Sequence, residues 1–283
     1  MKLWRLIVGW FWLACYGSVG AAATISVDRL PYTLSPRAGV SVVIERAGDL
    51  WQARLPDGRK QSLGEAMDDD ERGRAALMLQ ADFNYDGYTD IGLIAGVGYS
   101  GAIATYWVYL WDDSKRSFRK FPRIIGNPTL VPARRALIAW ERDGPAWTST
   151  EFRSEGGELT LTVEREQNIL GGAGLALDQL TLHLQQTGKV TDSRLIAGEA
   201  PIDVAPETLP SATAKITQPK AWLHQQPDAK SRTGMYVIRG DTVTLLHYQA
   251  PKSERDSANG WLFVRYQGRK TIELWIEADA IVP

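Results

Sequence analysis

Cysteine and histidine are scarce in this 283-residue chain, which has one Cys and three His. Cys15 falls within an apolar N-terminal stretch, so the rest of the chain can form neither a disulfide nor a thiolate-bound metal site. His183, His224 and His247 lie far apart without metal-ligand spacing, and a lone histidine in a strand pattern is usually structural. These shortages exclude thiol catalysis and the common zinc sites from the chain beyond this stretch.

Motifs of nucleophilic and phosphate-handling enzymes are also lacking. No serine lies in a nucleophile elbow, and the glycine-rich run at 171–174 is not followed by the lysine of a phosphate-binding loop. We therefore predict that the protein is not an enzyme. A carboxylate pair for glycoside cleavage, such as Glu65 and Asp82, stays open as an alternative, because such pairs have no sequence signature.

An excess of either charge is lacking as well. The chain has 32 Lys and Arg, and removing Lys2 and Arg5 with the N-terminal stretch leaves 30 against 33 Asp and Glu, a net charge of −3. This balance gives no electrostatic footprint for nucleic acid or for an anionic membrane.

The N-terminus has the order of a secretory signal peptide. A basic start at Met1–Arg5 precedes an apolar run, Leu6–Val19, which ends in the small residues Gly20–Ala23. We predict cleavage after Ala23, so that 1–23 is a signal peptide, the protein is periplasmic, and no transmembrane anchor remains after processing. Lipid attachment at Cys15 is disfavoured, because Trp12 stands where a lipid-attachment motif has an aliphatic residue.

Short alternating apolar segments separated by turn residues dominate the remaining chain and predict an all-β protein. One hairpin is predicted across Pro56–Gly58 and a second across Asp112–Arg116. A single short helix is predicted over Leu63–Arg74.

Two domains are expected from the length and from a composition that includes 11 Trp and 10 Tyr. The stretch 200–214, with three prolines, interrupts the strand pattern and predicts a semi-rigid linker. It separates an N-terminal antiparallel β-sheet domain of sandwich or propeller type at 24–199 from a smaller domain at 215–283.

The segment Asp82–Asp90 is the sharpest motif. Oxygen-bearing side chains recur at alternate positions, at Asp82, Asn84, Asp86 and Asp90, and Tyr88 offers a carbonyl group. Calcium requires six to eight oxygen ligands, and alternate residues of a curled loop all point inward. The spacing predicts a nine-residue calcium loop between strands, whereas an ordinary Asx-rich turn is the alternative.

A family resemblance extends from this loop. The loop, the glycine-rich Gly96–Gly101 and the strand Tyr106–Asp112 together resemble calcium-binding periplasmic immunity proteins, which neutralise lysozyme-like effectors. That family is similar to periplasmic lysozyme inhibitors and shares an FG-GAP-like loop with them. Asn127–Thr129 and Arg142–Trp147 are similar to the segments that follow.

The resemblance implies a function and a partner, a secreted peptidoglycan hydrolase. In such inhibitors a Ser-Gly loop with a nearby Tyr enters the hydrolase cleft, where the hydroxyl bonds the catalytic carboxylates. Ser100, Gly101 and either Tyr99 or Tyr106 would have this role here. The alternative is a plain glycine-rich connection between strands.

The segment 215–283 resembles a bacterial SH3-like β-barrel with five strands, which implies binding to cell-wall peptides or to other proteins. A non-catalytic envelope scaffold or a peptidoglycan-binding module is therefore the alternative function. The aromatic residues that could line a groove are Trp222, Tyr236, Tyr248, Trp261 and Trp275, of which Trp261 and Trp275 are expected in the core.

Overall fold

The computed structural model describes residues 24–67, 71, 73, 75–143, 146–170, 175–198, 204–251 and 259–281. Within them the long elements are all β-strands, so the predicted all-β class is confirmed. The helical elements with described bounds are single 3-10 turns, at Tyr99–Gly101, Pro132–Arg134, Pro206–Thr208, Ala229–Ser231 and Ala278–Ala280. The predicted signal peptide, with Cys15, lies outside the described residues. Among the residues that are described, no helix is long and apolar enough to cross a membrane.

The strands form four antiparallel sheets. Sheet I contains β2 (Tyr32–Leu34), β3 (Val42–Ala47), β4 (Leu50–Arg54) and β5 (Lys60–Glu65) in that order. Sheet II contains β1 (Ile25–Val27), β6 (Met78–Ala81), β7 (Asp90–Gly98), β8 (Ile103–Asp112) and β9 (Ser117–Gly126). Sheet III contains β10 (Thr129–Val131), β11 (Ala136–Asp143), β12 (Ala146–Glu155), β13 (Glu158–Ile169), β14 (Leu177–His183) and β15 (Val190–Ala197).

Sheet IV is formed by the C-terminal segment. Its strands, from one edge to the other, are β16 (Thr213–Lys215), β19 (Thr242–Gln249), β20 (Trp261–Gln267), β21 (Thr271–Glu277), β17 (Lys220–His224) and β18 (Arg232–Ile238). No ladder joins β16 to β18 in the described residues, so the predicted barrel is not closed by hydrogen bonds. The five predicted strands are all present, and β16 is added at one edge.

The two predicted hairpins are observed as β4–β5 and β8–β9. The short helix predicted over Leu63–Arg74 is wrong at its start, because β5 continues to Glu65 and Leu63 is buried in the core. Much of its second half lies outside the described residues.

Two main cores hold the sheets together. The first joins sheets I and II to the beginning of sheet III and contains the fully buried Trp51, Phe83 and Met78. The second joins the end of sheet III, through Leu177 and Leu195, to sheet IV. Sheet III therefore packs against sheets I and II at its beginning and against sheet IV at its end, so the second core crosses the predicted domain boundary.

The described part of the predicted linker, from residue 204 onward, is packed against β15. Arg194 donates hydrogen bonds to the carbonyl groups of Pro206 and Glu207, at 3.3 and 3.1 Å. The Ala212 amide donates to the Leu195 carbonyl at 2.8 Å. These bonds fix the path of the chain from sheet III into sheet IV.

Candidate functional site

The loop between β6 and β7 holds the predicted calcium residues. Left-handed backbone at Tyr85 (φ 56°) and Gly87 (φ 91°) curls the chain there. Asp82 accepts hydrogen bonds from the Asp86 and Gly87 amides, at 3.1 and 2.9 Å. Asp86 in turn accepts from the Tyr88 amide at 2.9 Å. The alternate oxygens are thus gathered within one tight loop.

Asp90 ties this loop to the centre of sheet II. Its side chain is completely buried and accepts from the Phe83 and Trp111 amides, at 2.8 Å each. One carboxylate therefore bonds both the loop and β8.

Asn84 connects the loop to sheet III. It is buried, and its Nδ2 donates to Asp86 Oδ2 at 2.8 Å and to the Gly157 carbonyl at 2.7 Å. Its Oδ1 is also buried but has no hydrogen-bond partner among the residues that the structure describes. A buried amide oxygen without a donor is the kind of atom that a cation would satisfy.

The carboxylates of the loop lack basic partners. In the described part of the chain, no Lys, Arg or His lies within ion-pair distance of Asp82, Asp86 or Asp90. Burial, with the neighbouring Asp86, raises the pKa of Asp82, and burial raises the pKa of Asp90 well above its usual value. Burial also raises the pKa of Tyr85 to about 12. This electrostatic environment favours a bound cation.

The donor set fits a hard cation only when neutral oxygens are counted. No three His, Cys, Asp or Glu side chains among the described residues converge as a metal centre by themselves. A calcium ion would therefore depend also on Asn84 and on the Tyr88 carbonyl, which are oxygen donors of the type that calcium prefers.

Further contacts join the loop to sheet III. The Tyr85 hydroxyl donates to the Ala136 carbonyl at 3.1 Å, and Arg135 donates to the Tyr85 carbonyl. The Arg135 guanidinium also lies 5.9 Å from the Tyr85 ring centroid. Residues in the two turns at 132–135 and 156–157 therefore hold the loop, and the sequence motif alone did not indicate them.

The second candidate site is the tip loop, which we define as Tyr99, Ser100 and Gly101 between β7 and β8. All three residues are exposed, and their φ angles are 49°, 54° and 91°. Left-handed backbone at two consecutive non-glycine residues is rare and strained. The Arg142 guanidinium lies 5.3 Å from the Tyr99 ring and 5.4 Å from the Trp147 ring. The β11–β12 hairpin thus supports the tip loop.

Tyr106 does not belong to the tip loop. It is 4% exposed, and its hydroxyl donates to the Ala76 carbonyl at 3.3 Å. Its strand neighbours, Ile94 and Ile125, are fully buried, because this position of β8 faces the core. The prediction of Tyr106 as a partner-contacting residue is therefore corrected, and Tyr99 is the exposed tyrosine.

The remaining candidates are dispersed. Trp261 is buried, as expected, whereas Trp275 is half-buried against Phe263 and His247. Glu65 and Asp82, the possible carboxylate pair for glycoside cleavage, lie in different sheets. The exposed Glu65 ends β5 in sheet I, and Asp82 follows β6 in sheet II.

Each histidine has a local structural contact. His183 Nε2 lies 2.8 Å from Glu164, and the buried His224 packs on Trp261. His247 Nδ1 lies 3.1 Å from Gln179 Oε1.

Comparisons with known proteins add little to this geometry. No protein-family model matches the chain, and no curated protein matches it. Among solved structures, it is similar to a Xanthomonas type IV secretion system related protein. That match covers 60% of this chain and 92% of the other, at 14% identity and a TM-score of 0.39. A TM-score this low carries no argument for a shared fold or role.

Proposed function

We propose that this protein is exported to the periplasm and inhibits a lysozyme-like peptidoglycan hydrolase by inserting its tip loop into the hydrolase cleft. The observation that carries the proposal is the exposed, left-handed backbone of Tyr99, Ser100 and Gly101. Strained backbone persists only where the surrounding structure enforces it, and it is concentrated at functional sites.

The chemistry of the tip loop suits a cleft that contains catalytic carboxylates. The Ser100 hydroxyl can donate a hydrogen bond to a carboxylate, and Gly101 adds no side chain that would obstruct entry into a cleft. The Tyr99 ring, 48% exposed and backed by Arg142, supplies a rigid aromatic anchor. An inserted loop of this kind blocks the substrate without undergoing any reaction, so the proposed role is non-catalytic.

Substitution of the tip loop tests this role. We expect Ser100→Ala and Tyr99→Ala each to weaken inhibition of a purified lysozyme about tenfold or more, since interface anchors of this type contribute about 1.4 kcal/mol or more. The measurement is the rate of peptidoglycan clearing at increasing inhibitor concentration. Val190→Ala is the control, because Val190 is 50% exposed on β15 in sheet III and its loss removes apolar surface elsewhere. Full inhibition by both tip variants, or none by the unchanged protein, would overturn the proposal.

We also infer that the loop at 82–90 binds calcium through the side chains of Asp82, Asn84, Asp86 and Asp90 and the Tyr88 carbonyl. Two observations on the described residues support this inference: the loop carboxylates Asp82, Asp86 and Asp90 have no basic partner there, and the buried Asn84 Oδ1 has no hydrogen-bond donor. Bound calcium would supply positive charge to the loop and would have no catalytic part. A Kd of roughly 10⁻⁴ to 10⁻³ M suits an exported protein.

A pair of adjacent glycines provides a matched test of calcium binding. Gly156 and Gly157 both have positive φ, so alanine is strained at either position. A Cβ on Gly157 would lie 3.2 Å from Asp86 Cβ, whereas one on Gly156 would have no atom of the described residues within 4 Å. We expect Gly157→Ala to weaken calcium affinity about tenfold and Gly156→Ala to leave it nearly unchanged, because only the first displaces a ligand. Equal affinities in a calorimetric titration would contradict the coupling between this turn and the loop.

A further inference from the structure

The outer face of the β17–β18 hairpin carries an aromatic pair, the half-buried Trp222 and the exposed Tyr236. The rings of Trp222 and Tyr236 meet edge to face, with centroids 5.5 Å apart. The opposite face of the same strands is buried in the second core through Ala221, Leu223 and Val237. The fold is therefore anchored by the inner face, and the outer rings are not needed to fill a core.

Two cations lie on these rings. Lys220 Nζ is 3.9 Å from the Trp222 centroid and 3.8 Å from the Tyr236 centroid, and the Arg232 guanidinium is 4.7 Å from Trp222. Neither cation lies within ion-pair distance of a carboxylate in the part of the chain that the structure describes. A cation–π contact fixes the position of a cation but leaves its N–H donors available to an anion.

The surroundings of this cluster are basic and partly apolar. Residues 220–239 of this hairpin contain four Lys or Arg and one acidic residue, although the whole chain has a net charge of −1. One further carboxylate, that of Glu277 in β21, lines the same cavity as Lys220 and Trp222. Ile238, two positions after Tyr236 in β18, is 49% exposed on the same face. The face therefore combines positive charge, aromatic rings and aliphatic surface, which are features of interface anchors.

We propose that this face, formed by Lys220, Trp222, Arg232, Tyr236 and Ile238, binds an acidic, partly apolar peptide segment of a protein partner. Carboxylates of the peptide pair with Lys220 and Arg232, and its apolar side chains cover the rings and Ile238. The positive charge complements an acidic peptide. The exposed aliphatic Ile238 favours a peptide over a nucleic acid, which would need a further basic or stacking group at that position.

The ligand is held by side chains and is not added as a further strand. β18 lies at the edge of sheet IV, where an extended peptide could in principle pair with it. However, the Met235 amide already donates to Thr233 Oγ1 at 3.1 Å, and the Ile238 amide donates to Asp241 Oδ2 at 2.9 Å. These side-chain bonds compete with a pairing strand.

The test uses the complete processed protein and a fluorescein-labelled peptide of roughly ten residues in which Glu alternates with Leu or Phe. Fluorescence anisotropy should show saturable binding that weakens as salt is added. We expect the double variant Lys220→Gln/Arg232→Gln and the single variant Trp222→Ala each to weaken binding about tenfold or more. The matched control is Arg269→Gln/Lys270→Gln, which removes the same charge from the exposed β20–β21 turn of the same sheet.

The outcomes separate the possible ligands. Loss of binding in the first double variant but not in the control, with both variants folded by circular dichroism, supports the proposal. No binding of the acidic peptide, equal weakening by both double variants, or equal binding of a peptide with Lys in place of Glu overturns it. Tighter binding of a single-stranded oligonucleotide or of isolated peptidoglycan at the same residues also overturns it, in favour of that ligand.

Discussion

Replacing Asp90 with alanine is expected to lower the free energy of unfolding by about 3–5 kcal/mol, measured by urea denaturation in the presence of a chelator. The carboxylate accepts from the Phe83 and Trp111 amides at 2.8 Å each in a fully buried setting. Alanine leaves both donors without an acceptor and away from water, and each such group costs about 1–3 kcal/mol. The chelator ensures that the loss comes from the protein's own hydrogen bonds.

The control for this experiment is Asp112→Ala. Asp112 also accepts bonds from the chain, from Ser114 Oγ at 2.6 Å and from the Lys115 amide at 3.0 Å, but in an exposed turn. Water can replace it there, so the expected loss is about 1 kcal/mol or less. Similar losses of unfolding free energy in Asp90→Ala and Asp112→Ala would show that burial does not determine how much Asp90 contributes to stability.

The second large effect is expected at the buried ion pair of sheet III. Arg134 Nη2 donates to Glu151 Oε2 at 2.8 Å, and Glu151 also accepts from Arg153 at 2.6 Å. Arg153 in turn pairs with Glu207 in the predicted linker, at 2.5 Å. We expect Arg134→Leu to cost about 3 kcal/mol or more, because Glu151 would keep its buried charge with half of its partners gone.

Two comparisons sharpen this prediction. Arg119→Leu removes an exposed partner of Glu158 and should cost about 0–1 kcal/mol. The double variant Arg134→Leu/Glu151→Leu should recover part of the loss, since replacing both charges removes the desolvation penalty. A double variant that is less stable than Arg134→Leu alone would contradict this account, as would equal costs for the Arg134 and Arg119 variants.

The sequence predicted local features better than distant contacts. The strands of both hairpins and the alternation of oxygens from Asp82 to Asp90 depend on neighbouring residues, and the structure places that segment between two strands as expected. By contrast, Asn84 contacts Gly157, which lies 73 positions along the chain, and Tyr85 contacts Ala136 at a separation of 51. No spacing rule within one segment could indicate these partners.

The errors have the same physical origin. The family resemblance offers Tyr106 as a partner of the Ser-Gly loop, but the phase of β8 turns its side chain toward Ile94 and Ile125. The helix predicted from Leu63 was overridden because Leu63 fills the first core, and the pairing of β5 with β4 extends to Glu65. In each case, tertiary packing decided the outcome.

The most direct test of the cation site is a calorimetric titration of calcium into the processed protein. We expect one ion per chain with a Kd of roughly 10⁻⁴ to 10⁻³ M, and no measurable binding in Asp82→Ala/Asp86→Ala, which removes two of the proposed ligands. Calcium should also raise the melting temperature of the unchanged protein and not that of the double variant. No heat of binding, together with a melting temperature that is the same with calcium and with chelator, would contradict the proposal that this loop is a calcium site.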